Sequence, residues 1–185
     1  MKLTHFLSAA TLSLALVFLV TQFAVGQDRA TNETRVSPNA SVSQTIGTTQ
    51  VTITYGRPSV NDRQVFGGLE PFGEVWRTGA NEATTITFSD DVMIEGEPLE
   101  AGTYGLFTIP SKDQQWTVIF NNVAQQWGAF DYDSGEDALR VEVTPEEGSH
   151  MEQLMFYFED VSENSGTAIV HWSDVKVPFT IEPAS

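Results

Sequence analysis

The feature that most constrains this chain is an alternation of apolar and polar residues with a period of two. Val51, Ile53 and Tyr55 alternate with Thr52 and Thr54, and Ile86 and Phe88 with Thr85 and Thr87. Trp116, Val118 and Phe120 share one face of a further run, and Leu139, Val141 and Val143 alternate with Arg140, Glu142 and Thr144. Leu154, Phe156 and Phe158 follow, then Ala168, Val170 and Trp172, then Val175, Val177, Phe179 and Ile181. Successive strand side chains point to opposite faces, so each run predicts a half-buried antiparallel strand. Turn formers separate the runs: Glu95-Gly96, Ala101-Gly102, Pro110 to Asp113, Asp133 to Gly135, Pro145 to Gly148 and Asn164 to Gly166. No helical stripe of comparable length appears among them. The expected fold is all-β, an antiparallel β-sandwich of about nine to eleven short strands. One long irregular loop, from Gly56 to Glu82, interrupts the strands, and loops of that length are often functional.

The N-terminus carries a different pattern. Lys2 and His5 precede an apolar run, Leu12 to Val20, and Ala24-Val25-Gly26 ends it with small residues. That order describes a secretory signal peptide over 1–26, with an uncleaved membrane anchor as the alternative. Residues 27–44 are polar and aperiodic at their start and read as a flexible leader, with a single sandwich domain over 45–183. The export signal predicts a periplasmic or extracellular location. There is no Cys, so neither disulfides nor a thioether or thioester lipid anchor is available, and the core must hold the domain.

Nine basic residues stand against 25 acidic ones, a net charge of −16. Nucleic acid is excluded as a partner, because phosphate neutralisation needs clustered Lys and Arg. Stable association with an anionic membrane after signal cleavage fails on the same ground. The acidity fits simple solubility, or growth at high salt, where screening removes self-repulsion.

The candidate site lies where the long loop meets the strands. Trp76-Arg77-Thr78-Gly79-Ala80-Asn81-Glu82 puts an aromatic, a guanidinium, an amide and a carboxylate within seven residues. Side-chain parity carried out of the flanking strands turns Arg57 and Glu82 toward the interior. A buried charge needs a partner, so Arg57 or Arg77 is expected to meet Glu82. Such a pair either fastens the loop or lines a polar pocket with Trp76 and Asn81. A second candidate is Trp127-Gly128-Ala129-Phe130-Asp131-Tyr132, where rings beside polar groups suit a glycan and also suit core cover. The candidate ligand-binding set is therefore Arg57, Trp76, Arg77, Asn81, Glu82, Trp127, Asp131 and Tyr132, for a small polar ligand or a glycan.

Catalytic signatures are sparse. No nucleophile elbow, zincin motif or phosphate loop is present. Glu82 and Asp131 are the carboxylates a hydrolase reading would use, and an envelope interaction module is the third reading. Asp131-x-Asp133-x-Gly135-x-Asp137 partly follows a calcium loop, but Gly135 stands where an oxygen ligand is wanted and Glu136 where Gly is. No metal or other cofactor is expected. His171 is opposite in parity to Val170 and Trp172 and is read as facing solvent.

These residues also resemble a family pattern. Tyr55-Gly56-Arg57-Pro58, Arg63-Gln64-Val65-Phe66-Gly67, Trp76 to Thr84, Ala101 to Pro110, Trp116 to Asn121 and Trp127 to Tyr132 are similar, in order, to the bacterial "domain of unknown function 2911" proteins. The resemblance covers roughly Thr45 to Glu182 and implies an exported bacterial protein. It confers no catalytic role on any residue, and Phe130 stands where Tyr is commoner in the family.

Overall fold

The computed structural model describes Arg29 and residues 34–184. Ten strands form among them: β1 (Asn39–Ile46), β2 (Thr49–Gly56), β3 (Thr84–Phe88), β4 (Val92–Ile94), β5 (Glu97–Leu99), β6 (Gly102–Ile109), β7 (Trp116–Asn121), β8 (Asp137–Val143), β9 (Glu146–Glu159) and β10 (Gly166–Pro183). They build two antiparallel sheets, in the order β1-β2-β3-β6-β7-β8 and β5-β4-β10-β9. The sandwich expected from the alternation is the observed fold. The signal segment expected over 1–26 lies outside the described residues. Among the described residues no helix is long and apolar enough to cross a membrane.

The core fills the space between the sheets. Ile53, Ile86 and Phe120 from one sheet and Ile94, Phe179 and Ile181 from the other are fully or almost fully buried. Each side chain of that size stabilises the fold by roughly 1.5–3 kcal/mol when fully buried. Ala83, Phe107 and Ile119 form a smaller cluster, packed against Val75, Ile109, Ala129 and Tyr132.

Four regions depart from the sequence expectation, each for a physical reason. The leader expected over 27–44 ends sooner, because Asn39 to Ile46 pair with Thr49 to Gly56 as an edge strand. Its Ser and Thr side chains mute the alternation, and they bond across the ladder, Ser43 Oγ lying 2.6 Å from Thr52 Oγ1. Strand β6 is buried on both faces from Tyr104 to Thr108, so it shows a continuous run instead of a period of two. The turn expected at Pro145 to Gly148 is instead the start of β9, which is 14 residues long. The two runs from Ala168 to Ile181 join into one strand, with a register shift around Ser173, whose φ is 53°.

His171 corrects the parity argument. It is 2% exposed, not solvent-facing. The early part of β9 folds over it, placing its Nε2 2.9 Å from the Ser149 carbonyl. Gly148 permits this approach, since a Cβ there would stand 2.6 Å from the same nitrogen.

Candidate functional site

The loop from Arg57 to Ala83 closes one end of the sandwich. Its first residues run beside β9: Val60 donates to the Glu152 carbonyl, Leu154 donates to Pro58, and Ser59 bridges Gln153. A tight turn follows, in which Leu69 donates to Gln64, Glu70 donates to Val65 and Gly67 donates to Glu70. The turn drives Val65 into the core and sets the Phe66 ring 4.7 Å from Trp116 and 5.7 Å from Trp76. Trp76 exchanges two backbone hydrogen bonds with Thr108, taking the place beside β6 that β3 leaves after its pairing of Thr84 with Leu106. Its ring stacks on Trp172 at 5.6 Å, and its Nε1 donates to the Gly79 carbonyl. Trp76 is therefore part of the core beneath the site.

The segment from Arg77 to Thr84 forms a compact loop, closed by Thr84 N–H donating to Arg77 and by the Thr84 hydroxyl donating to Thr78. It lies so close to the end of β2 that a Cβ on Gly56 would meet the Ala80 carbonyl oxygen at 2.2 Å. Gly56 is thus required by backbone proximity. Asn81 adopts φ 66° and its Nδ2 donates to the Ser37 carbonyl.

The expected partner of Glu82 is corrected. Its carboxylate is held bidentately by Arg35, at 2.6 and 2.9 Å, with Arg29 Nη1 at 3.9 Å. Arg57 instead donates from Nε to the Leu154 carbonyl at 2.9 Å, tying the loop to β9. Both arginines of the Glu82 cluster come from before β1. Arg29 is 5% exposed and donates to the Thr54 and Ala83 carbonyls, linking β2 to the residue that precedes β3. The Arg35 hydrogen bonds hold the Glu82 carboxyl below its usual range. A carboxylate locked as an anion in this way is unsuited to deliver a proton, so the geometry does not support Glu82 as the acid of a hydrolase.

Arg77 has a different environment. Its guanidinium makes no hydrogen bond or ion pair among the described residues, and its Nε is buried. It lines a pocket of about 290 Å³ with Asn81, Ser59, Asn61, Glu70 and Trp172. Trp172 is 1% exposed, and its indole N–H likewise has no acceptor among the described residues. Burial pushes the Glu70 carboxyl up to about 7, against the opposing pull of Arg77 and then Arg63. Arg63, also on this pocket, directs Nε to the Val60 carbonyl and Nη2 to the Ser59 carbonyl.

A larger cleft of about 500 Å³ lies on the other side of the Phe66 turn, with Phe72, Trp116, Lys112 and Glu146 in its wall. None of the buried polar atoms that lack a partner lines it. Trp116 donates its indole N–H to Ser111. This cleft is larger than the Arg77 pocket, and depressions of about 530 and 900 Å³ elsewhere on the surface are larger still, whereas unmet hydrogen-bonding capacity favours the smaller pocket. The second criterion bears on recognition, because buried donors are paired in the great majority of native structures.

The remaining candidates lie apart from that pocket. Trp127 is 56% exposed and bridges Glu82 through the backbone, while Phe130 is 82% exposed. Asp131 is exposed. Tyr132 donates to Asp137 at 2.7 Å, accepts from Arg140 at 2.6 Å and packs on Phe107, so its hydroxyl serves the fold. Burial first, and Asp137 second, push that hydroxyl up to about 12. The calcium-like carboxylates are likewise committed: Asp133 caps the 3-10 turn Ser134–Glu136, and Asp137 takes Asn121, Tyr132 and Arg140. Glu70 and the Trp172 N–H were not legible as site groups. The available signal was that a buried Trp carries a donor needing an acceptor.

No curated protein and no solved structure matches the chain. A family match covers residues 37–181, which include Glu70, Arg77 and Trp172, while Arg29 and Arg35 precede it. The chain belongs to the family described as "Protein of unknown function (DUF2911)".

Proposed function

We propose that this is an exported β-sandwich protein that binds a small polar ligand, without catalysing a reaction, in the pocket lined by Arg77, Asn81 and Trp172. The observation that carries the reading is the Arg77 guanidinium, which belongs to a residue lining this pocket and has no protein acceptor among the described residues. A solute offering an acceptor to that guanidinium gains a charge-assisted hydrogen bond, worth about 1.5–3 kcal/mol, that the fold does not use. The basic, apolar and small-residue order of positions 1–26 supports export.

The test is a thermal-shift screen of the purified protein against small carboxylates, amino acids, sugars and polyols. Arg77→Met is expected to remove the ligand-induced shift while leaving a folded protein. Arg57→Ala is expected to lower the baseline but keep the shift. A shift that survives Arg77→Met moves the site elsewhere and overturns the reading. A second reading, glycan binding, is favoured by the exposed rings of Trp127 and Phe130 beside Asp131. It requires oligosaccharide binding that Trp127→Ala abolishes and Arg77→Met leaves intact.

A further inference from the structure

We propose that the Arg77 pocket recognises a small zwitterion of the α-amino acid type, its carboxylate on the Arg77 guanidinium and its ammonium on Glu70. The inference rests on the pocket being a ligand site and adds the chemistry of the ligand.

Three charged residues line the pocket: Arg63, Arg77 and Glu70. Arg63 already serves two backbone carbonyls, at 2.9 and 2.6 Å. Arg77 is the cation with no acceptor among the described residues, its Nε buried and unpartnered. It lies close enough to Glu70 to pull against the upward push of burial on that carboxyl. Even so, they form no hydrogen bond or ion pair within 4 Å. The Arg35–Glu82 pair, closed at 2.6 Å, shows the alternative.

The backbone on each side is ordered: Arg77 lies between the Trp76–Thr108 bridge and the hydrogen bond from Thr84, and Glu70 ends the Gln64–Glu70 turn. Opposite charges on one half-buried pocket, with no ion pair closed between them, select a solute with both complements. A carboxylate alone would face Glu70 across the pocket, and an amine alone would face Arg77. A neutral sugar would remove water from both without neutralising either. The zwitterion satisfies each charge. Ser59, Asn61 and Asn81 complete a polar wall, with Leu69 as an apolar one.

The experiment is isothermal titration calorimetry of the purified protein with each common L-amino acid. The tightest binder is then compared with its analogue lacking the amino group and its analogue lacking the carboxylate. Each analogue is expected to bind at least about tenfold more weakly, the effect of losing one hydrogen-bonded charge. Glu70→Gln should weaken the amino acid by about the same factor and leave the deamino analogue no weaker. Arg77→Met should abolish binding of both. Equal affinity for the deamino analogue, with Glu70→Gln silent, would overturn the zwitterion and leave a carboxylate site standing. An Arg77-dependent thermal shift with a sugar or polyol, and none with any amino acid, would also overturn the inference while sparing the site. No Arg77-dependent binding by any compound would overturn both.

Discussion

Glu82 stands at the end of the long loop and Glu70 at its middle, each near arginines, and they illustrate two uses of the same chemistry. Glu82 is closed: Arg35 takes both of its oxygens, Arg29 stands behind, and the carboxyl is held low. Glu70 is open: no arginine reaches it within 4 Å, and burial raises it to about 7. A closed pair consumes its hydrogen-bonding capacity and fastens chain to chain. An open pair retains that capacity for something else. Arg35 reaches Glu82 from the chain before β1, whereas Glu70 and Arg77 belong to two different turns of the same loop.

Breaking the closed pair is expected to have the largest effect. Glu82→Ala leaves Arg29 and Arg35 without their carboxylate, and removing one partner of a buried pair costs about 3–5 kcal/mol. Urea denaturation should show that loss, and a change below about 1 kcal/mol would mean that solvent already screens the cluster.

The pH dependence sharpens the comparison, because the two carboxyls act in opposite directions. The folded value for Glu70 lies above its usual 4.5, so the folded state binds more protons between 4.5 and about 7. Its contribution is fully present below 4.5 and is lost as pH rises through about 7, amounting to at most on the order of 2–3 kcal/mol after solvent screening. Glu82 is lowered, so its contribution is present above its usual value and disappears as pH falls through the depressed one. Glu70→Gln should therefore flatten the stability curve between pH 4.5 and 7, and Glu82→Gln should flatten it on the acid side. Denaturation midpoints from pH 7 down through 4.5 and into the acid range below it would show both. An unchanged curve for Glu70→Gln would place its carboxyl in open water.

Smaller effects are expected farther from the two charges. Arg57→Ala removes a charged hydrogen bond to the Leu154 carbonyl and should cost about 1.5–3 kcal/mol, without touching ligand binding. Trp127→Ala alters an exposed ring and should change stability by no more than about 0.5 kcal/mol. A larger loss there would show that the ring shields the Glu82 cluster.

Much of the sandwich was legible because half-buried strands write their orientation into the sequence. The faces of β2, β3, β7 and β8 follow Val51 to Tyr55, Ile86 to Phe88, Trp116 to Phe120 and Leu139 to Val143. Strand β6 was not legible, since Phe107 and Leu106 are buried on opposite faces and leave no alternation. Parity placed Glu82 inside but could not name its partner. Arg35 lies 47 residues away in a stretch without periodicity. Trp172 was legible as core, yet whether its N–H finds an acceptor depends on neighbours that only the folded chain assembles.

The most direct test sets the two arginines side by side, by urea denaturation of Arg35→Met and Arg77→Met without added solute. The account predicts that Arg35→Met costs about 3–5 kcal/mol, whereas Arg77→Met costs less than about 1 kcal/mol, because its guanidinium binds nothing in the fold. Equal losses would contradict it and make Arg77 a structural residue like Arg35.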